Sequence, residues 1–450
     1  MRRTLGFRLR AVALGAFLIL PAAQTSAATG DLPDLGQNVI IRHLPAGGTV
    51  IVRPAEGAPV AAVELWYLAP SSGFAAKPQP SLARLAAQVV AGSKPIVGDS
   101  LGTIVRAAGG RLAITAYSDC VAISAVVPAT SARQVVHAMT TAFFAPVTTE
   151  DGFRAAQRDV GQEALVAEFD PQSVVRDAVY ASLFAGGPQR VPALGAPKDV
   201  AALTFADVKS FATRAFRSAN ATLVVAGAVD SSVQTAAAVG RPPVGDAGPE
   251  ARLPALPASE AGPVAKDFAQ PSGGYGWIGP AISEQREATA MDFIADYLFR
   301  PTDGVVTKLV AERFPDAFVV GQFITLNNPG VMFVAYAGKD ADGVKTLVDG
   351  GFEAIRKPLG GAPFAAALES FKYHVFSDLQ TPTQLADNFG WYSVEGSPAY
   401  APGVGGERGA YFKAAGALTP EFVANVAQKY LGKPPAVVTL RPGPKKTTTQ

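Results

Sequence analysis

The sequence predicts an α+β protein built as two similar halves. Three observations carry this. Segments follow one another as strands, helices, strands, helices, strand, an order that builds layers rather than a regular β-α-β alternation. A stretch rich in Pro, Gly and Ala, RPPVGDAGPEARLPALPASEAGPVAK, interrupts this order from Gly240 to about Ala265. After it the same grammar starts again, which implies an internal duplication with halves of about 200 residues. Each half is expected to form an antiparallel sheet with helices on one face.

The elements follow in chain order. VIIRHLPAGGTVIVRP reads as a strand, a Gly-Gly turn and a second strand, and AAVELWYLAP as a third strand before the turn SSGF. Pro80 and Ser81 signal the start of a helix over SLARLAAQVVAGSK, where Leu82, Leu85 and Val89 recur at helical spacing. SLGTIVRAAGG is a second helix, stopped by Gly109 and Gly110. RLAITAYS and CVAISAVVPA alternate like paired strands, SARQVVHAMTTAFFAP is helical, and a long helix spans about Glu150 to Ala167. Thr204 opens a helix over LTFADVKSFATRAF, and ATLVVAGAVD closes the half as a strand.

The second half repeats the pattern. YGWIGP is a strand, REATAMDFIADYLF and VVTKLVAERF are helices, and AFVVGQFIT and GVMFVAYAG are a strand pair. GVKTLVDGGFEAIRKPL, PFAAALESFKYHVFSDL and TPEFVANVAQKYL are helices, and AVVTLRP is the last strand. The aromatic residues of NFGWYSVEG, Phe389, Trp391 and Tyr392, are read as helix–helix packing rather than as the lining of a chamber. The expected division is a signal peptide over residues 1–28, an N-terminal domain over 29–240, a linker over 241–265, a C-terminal domain over 266–443 and a disordered tail over 444–450.

Composition narrows the functional classes. Of 450 residues 48% are apolar and 17% charged, so the chain has enough apolar material for real cores and is not disordered throughout. Thirty-nine basic against 37 acidic residues leave a net charge of +2 with no basic stripe, which argues against nucleic acid as a partner. The opening MRRTLGFRLRAVALGAFLILPAAQTSAATG carries four Arg, an apolar run and small residues, the layout of a secretory signal peptide cleaved after Ala27 or Ala28. No later apolar run reaches the roughly 18 residues of a membrane span, so a soluble periplasmic or secreted protein is expected. The single Cys120 supports no disulfide framework and reads as a buried strand thiol.

Several stretches in this order resemble the pitrilysin/insulinase family of zinc peptidases, in its short form of two homologous halves. SLARLAAQVVAGSK stands where that family carries G-L-A-H-L-L-E-H-M-L-F-K-G-T. LGTIVRAAGGRLAITAYSDCVAISAVVP is similar to its Gly-Gly turn and strand pair, and RDVGQEALVAEFDP to its E-R-x-V-x-x-E segment. ALGAPKDVAALTFADVKSFATRAFRSANATLVVAGAVD resembles its closing helix, turn and Gly-rich strand.

The departures from the family pattern set the expectation for function. The resemblance puts Arg84 and Gln88 at the two zinc-binding histidines, Ala87 at the general base and Glu163 at the distant ligand, with Gln157 at an expected acidic position before Arg158. Arginine keeps its proton and has no lone pair for a metal, glutamine is a poor zinc ligand, and alanine moves no proton. His43, His137 and His374 are the only histidines, and no two lie within four residues, so H-x-x-E-H is absent in any register. The zinc of the family is therefore expected to be missing. A buried, unpaired cation is costly, so Arg84 is expected to pair with Glu163 across the pocket that the family fold implies. In the C-terminal half LVAERFPDAFVVG resembles the family's substrate-binding segment, with Arg313 at the peptide-binding Arg and Phe318 in place of a Tyr, which removes a hydroxyl donor.

The expected function is that of a catalytically inactive homologue, the non-catalytic subunit that completes the peptide chamber of a zinc-bearing homologous peptidase. Two alternatives stand beside it: a metallopeptidase with non-standard ligands, and a metal-free peptide-binding or scaffold protein of the exported compartment.

Overall fold

Alternation along the strands and caps at the helices place most elements where the sequence puts them. The computed structural model describes residues 38–441 apart from 56, 75–76, 96–97, 185, 239–263 and 268–269, with the backbone alone at 264–267 and 407. The signal segment over 1–28, the tail over 444–450 and nearly all of the 241–265 linker lie outside the described residues.

The first half runs β1 (Ile40–His43), β2 (Thr49–Pro54), β3 (Val60–Leu68), α1 (Leu82–Gly92), α2 (Leu101–Ala107), β4 (Arg111–Ala116), β5 (Cys120–Pro128), α3 (Ala132–Phe144) and α4 (Glu150–Ala167). It continues with α5 (Pro171–Leu183), α6 (Pro197–Ala202), α7 (Phe205–Ala215) and β6 (Ala221–Gly227). The second half runs β7 (Val264–Asp267), β8 (Ser272–Ile278), α8 (Gln285–Phe299), α9 (Val305–Arg313), β9 (Phe318–Ile324), β10 (Val331–Ala337), α10 (Ala341–Ile355) and α11 (Gly361–Ser377). It closes with α12 (Pro382–Val394), α13 (Ala410–Gly416), α14 (Pro420–Leu431) and β11 (Ala436–Arg441). The linker reading therefore ends too late, because residues 264 and 265 already belong to β7.

The duplication is visible in the sheets. The strand orders are β1-β2-β6-β3-β5-β4 and β7-β11-β8-β10-β9, the same sequence of equivalents once β1 is set aside. Each sheet carries one parallel pair, β2–β6 and β7–β11, among antiparallel neighbours, so the expectation of purely antiparallel sheets needs correction. A strand that returns after a long helical excursion is free of the hairpin constraint and can pair either way.

The second correction concerns the faces of the sheets. On β3 the odd residues Val63, Leu65 and Tyr67 point into the core shared with α1, α3 and α7. The even residues Glu64 and Trp66 point to the opposite face, as the period of a strand requires. That face is not bare: α12, from the second half of the sequence, packs across β3 and β6. Reciprocally α5, from the first half, packs across β8, β10 and β11. Its Val174, Val175, Val179 and Leu183 form a core with Val331, Phe333, Ala335 and Val438. Helices thus cover both faces of each sheet, and each half lends one helix to the other within one compact unit.

Glycine permits both approaches. A Cβ on Gly276 of β8 would collide with Val179 and Leu183 of α5, and one on Gly390 of α12 would fall inside the Trp66 indole. Glycine within a strand marks such a close approach.

Candidate functional site

Helix α1 begins at Leu82, directly after the Pro80–Ser81 start signal. Ser81 sits just before the helix at φ 68°, and its side chain caps no helix amide. Its hydroxyl instead accepts a hydrogen bond from the Gly195 amide at 2.8 Å, tying α1 to the loop before α6. The apolar face of the helix, including Ala87, is fully buried. Arg84 and Gln88 remain partly accessible on the side toward α4.

Three residues read from the sequence meet here. The Arg84 guanidinium lies 2.8 Å from a Glu163 carboxylate oxygen on α4, and its other terminal nitrogen donates to Gln88 Oε1 at 2.9 Å. Glu163 is 43% exposed against 13% for Arg84, so the pair contributes about 1 kcal/mol or less. Its main effect is to give the two terminal nitrogens of a nearly buried cation their partners, the buried Nε having none among the described residues, and not to hold the helices together. The zinc implied by the resemblance does not fit these side chains. The point between positions 84, 88 and 163 is filled by a fixed positive charge, and the buried methyl of Ala87 offers no base. Gln157 is also used structurally: its amide donates to the carbonyls of Val200 and Leu203, which a carboxylate could not do.

The other singled-out residues lie apart from this group. Arg313 ends α9 and Phe318 begins β9, both exposed. Neither lines the cavity described next. His43 is on β1, the His137 ring is 3.3 Å from the Ala236 carbonyl, and His374 sits between Asp296 at 2.8 Å and Asp303 at 3.3 Å.

A cavity of about 390 Å³ opens between the halves, lined among others by Tyr117, Asp119, Tyr180, Gln189, Thr325 and Trp391. Ala116 of β4 and Gln322 to Ile324 of β9, the end strands of the two sheets, also line it. Trp391 lines this cavity as well as packing against the core to which α5 contributes, so chamber lining, set aside in the sequence reading, holds for it too. It meets Trp66 and Tyr117 edge-on and donates to the Thr325 carbonyl at 2.8 Å, joining α12 to the first sheet and to the cavity wall. The sequence reading also left out the carboxylates under α12. Glu64 is fully buried and accepts from Trp66 Nε1 at 2.8 Å and from Ser124 Oγ at 2.9 Å. A charged-type residue in the middle of the apolar strand AAVELWYL was the signal available for it.

Burial, reinforced by the neighbouring Asp387, pushes the Glu64 carboxyl up from 4.5 to about 8. Unfolded, the same group loses its proton near 4.5, so between those values the fold binds more protons than the unfolded chain. Stability contributed by Glu64 is thus complete below about pH 4.5 and is lost as pH rises toward about 8. Thermal unfolding across this range should show a shallower decline for Glu64→Gln than for the natural chain; equal slopes would exclude the assignment.

By sequence alone no family model and no curated protein matches the chain. Its fold does match solved structures. A protease from Helicobacter pylori aligns with TM-score 0.78 at 16% identity, covering 90% of this chain and 99% of that one. A candidate M16-like peptidase from Alicyclobacillus acidocaldarius gives 0.74 at 16% identity, covering 90% and 98%. A peptidase M16 inactive domain from Pseudomonas fluorescens gives 0.71 at 17% identity, again covering 90% and 98%. Two halves of one topology, exchanging a helix across a central cavity, thus give this chain the pitrilysin/insulinase fold of the M16-like peptidases over nine-tenths of its length.

Proposed function

We propose that this protein is a catalytically silent peptidase homologue that acts as the non-catalytic partner of a zinc-bearing homologous subunit, completing its peptide-binding chamber. The observation that carries this reading is the Arg84 guanidinium held between Gln88 and Glu163, where a metal-using helix needs neutral imidazoles. The similarity in fold to a domain described as inactive is in keeping with it. Export through the N-terminal segment, with action outside the cytoplasm, is part of the proposal. Among the described residues no helix is long and apolar enough to cross a membrane.

A second reading, a peptide-binding protein that acts alone, draws support from the cavity between the end strands β4 and β9. Both readings predict no turnover by the chain on its own; they part when a partner is added. The test is hydrolysis of a quenched-fluorescent peptide set by the purified chain, by a zinc-bearing homologue from the same source, and by their mixture. The proposal expects negligible rates from each alone and at least a tenfold higher rate from the mixture, with the two chains eluting together. An unchanged rate on mixing would reject the partner role, and peptide binding by the chain alone would then favour the second reading.

A further inference from the structure

The helix exchange brings the carboxylate of Glu395 beside two consecutive residues that are far from it in sequence, Asp119 and Cys120. Asp119 ends the turn between β4 and β5, Cys120 begins β5, and Glu395 caps the C-terminal end of α12. One carboxylate oxygen from each acid and the Cys120 sulfur all lie within 4.8 Å of one another, and all three residues are at most 1% exposed. Among the described residues no arginine or lysine is paired with either carboxylate. Among the described residues Asp119 accepts a long 3.4 Å bond from Gln189 Nε2, a bond from its own backbone and one from the thiol. Glu395 accepts from the Asn327 amide at 2.6 Å.

One buried oxygen of the cluster, Glu395 Oε1, has no hydrogen-bond donor, and neither has Gln189 Oε1, on the amide whose Nε2 faces Asp119. Nearly all buried polar atoms find a partner, so an orphaned carboxylate oxygen beside a second carboxylate and a thiol points to something positively charged. The position of Glu395 argues the same way, since the end of a helix that carries its carbonyls disfavours a carboxylate. Gln189, whose amide adjoins Asp119, presents an oxygen in place of its nitrogen by a simple flip of that amide. Asp119 and Gln189 also line the cavity between the halves, which supplies a route for entry.

We propose that Asp119, Cys120 and Glu395 bind one divalent cation of the zinc class, with the Gln189 oxygen as a further donor, and that this ion fastens the two halves together. One thiolate with two carboxylates suits zinc or cobalt, whereas magnesium and calcium prefer oxygen alone. The thiol proton, and any proton held by the carboxyls, leaves to solvent as the ion enters. The site shares no residue with helix α1, so it stands whether or not the partner role does.

Cobalt(II) titrated into the metal-free full chain tests this, because a thiolate ligand gives a near-ultraviolet charge-transfer band. The expected result is one cobalt per chain, a band that saturates at that ratio, and its displacement by zinc. Cys120→Ser should abolish the band, and the near-isosteric Glu395→Gln should weaken binding at least tenfold, while His43→Asn, at an exposed histidine far from the cluster in the fold, should change neither. Zinc should also raise the unfolding temperature of the natural chain but not of Glu395→Gln. Absence of the band, or binding that survives Glu395→Gln unchanged or is lost with His43→Asn, would overturn the proposal. If Cys120→Ser does not fold, the affinity loss in Glu395→Gln decides.

Discussion

Replacing Arg84 and Gln88 together by histidine should give a chain that binds one zinc ion more than its parent. The geometry supplies the reason. The guanidinium bridges Glu163 at 2.8 Å and Gln88 at 2.9 Å, so positions 84, 88 and 163 already converge on one point from two helices. Two imidazoles at i and i+4 with a carboxylate from α4 make a three-ligand zinc site with room for water. The variant is best built on a Cys120→Ser background, so that any thiol-bound metal is removed from the count. Zinc per chain by elemental mass spectrometry, with affinity by calorimetry, gives the readout. Adding Glu163→Ala should lower that affinity by about tenfold or more, since a direct ligand matters at least as much as an outer-shell one. Peptide hydrolysis should remain absent, because position 87 still lacks a base and its methyl lies in a closed core. A double-histidine chain with no added zinc would mean that the helix has drifted too far from the metal geometry to be restored.

Trp66→Ala should produce the largest loss of stability among single substitutions at the junction of the halves. The indole is 1% exposed, stacks on Tyr117 at 6.0 Å, meets Trp391 edge-on at 6.4 Å and fits against the bare backbone of Gly390. Emptying such a site costs about 3–5 kcal/mol. Glu64 also loses its indole donor, which adds about 1–3 kcal/mol for a buried acceptor left short of partners. Urea denaturation should show a markedly lower midpoint, and Trp66→Phe should recover part of the packing loss but not the hydrogen bond. A midpoint shift of less than about 1 kcal/mol equivalent would mean that α12 is not held through this residue.

Much of the fold was legible because local signals and tertiary packing agreed. Helix α4 occupies Glu150–Ala167 as its periodicity indicates, and Thr204 caps α7 through a reciprocal bond with Asp207. Of the two exchanged helices, the sequence reading assigns no element to α5 and treats α12 only as the stretch whose aromatic residues pack between helices. α5 carries Pro171 at its first turn and an Asp170 cap, and α12 has a Thr381–Gln384 capping box, so start signals existed for both. What no local pattern records is that each helix finds its apolar partner on the other half's sheet. The glycines of SGGYGWI were the nearest hint, since a strand that omits side chains is making room for a neighbour.

The candidate sites divide in the same way. Absence of an H-x-x-E-H pair is legible in sequence because such ligands are local, at i and i+4, and a chain with three scattered histidines cannot hide them. The link from Arg84 to Glu163 rests on the resemblance, which puts both at one pocket, together with the cost of burying an unpaired charge. The group of Asp119, Cys120 and Glu395 was invisible, because only the crossing of α12 to the first sheet brings Glu395 to the β4–β5 turn. Cys120 alone reads as an ordinary buried thiol.

The most direct test of the account is peptide turnover by the purified chain alone in the presence of added zinc, with Glu163→Gln measured in parallel. The account predicts rates at the level of the buffer blank for both proteins, unchanged by a chelator. Turnover by the natural chain that a chelator abolishes and Glu163→Gln removes would contradict it, and would make the helix at Arg84 a working metal site after all.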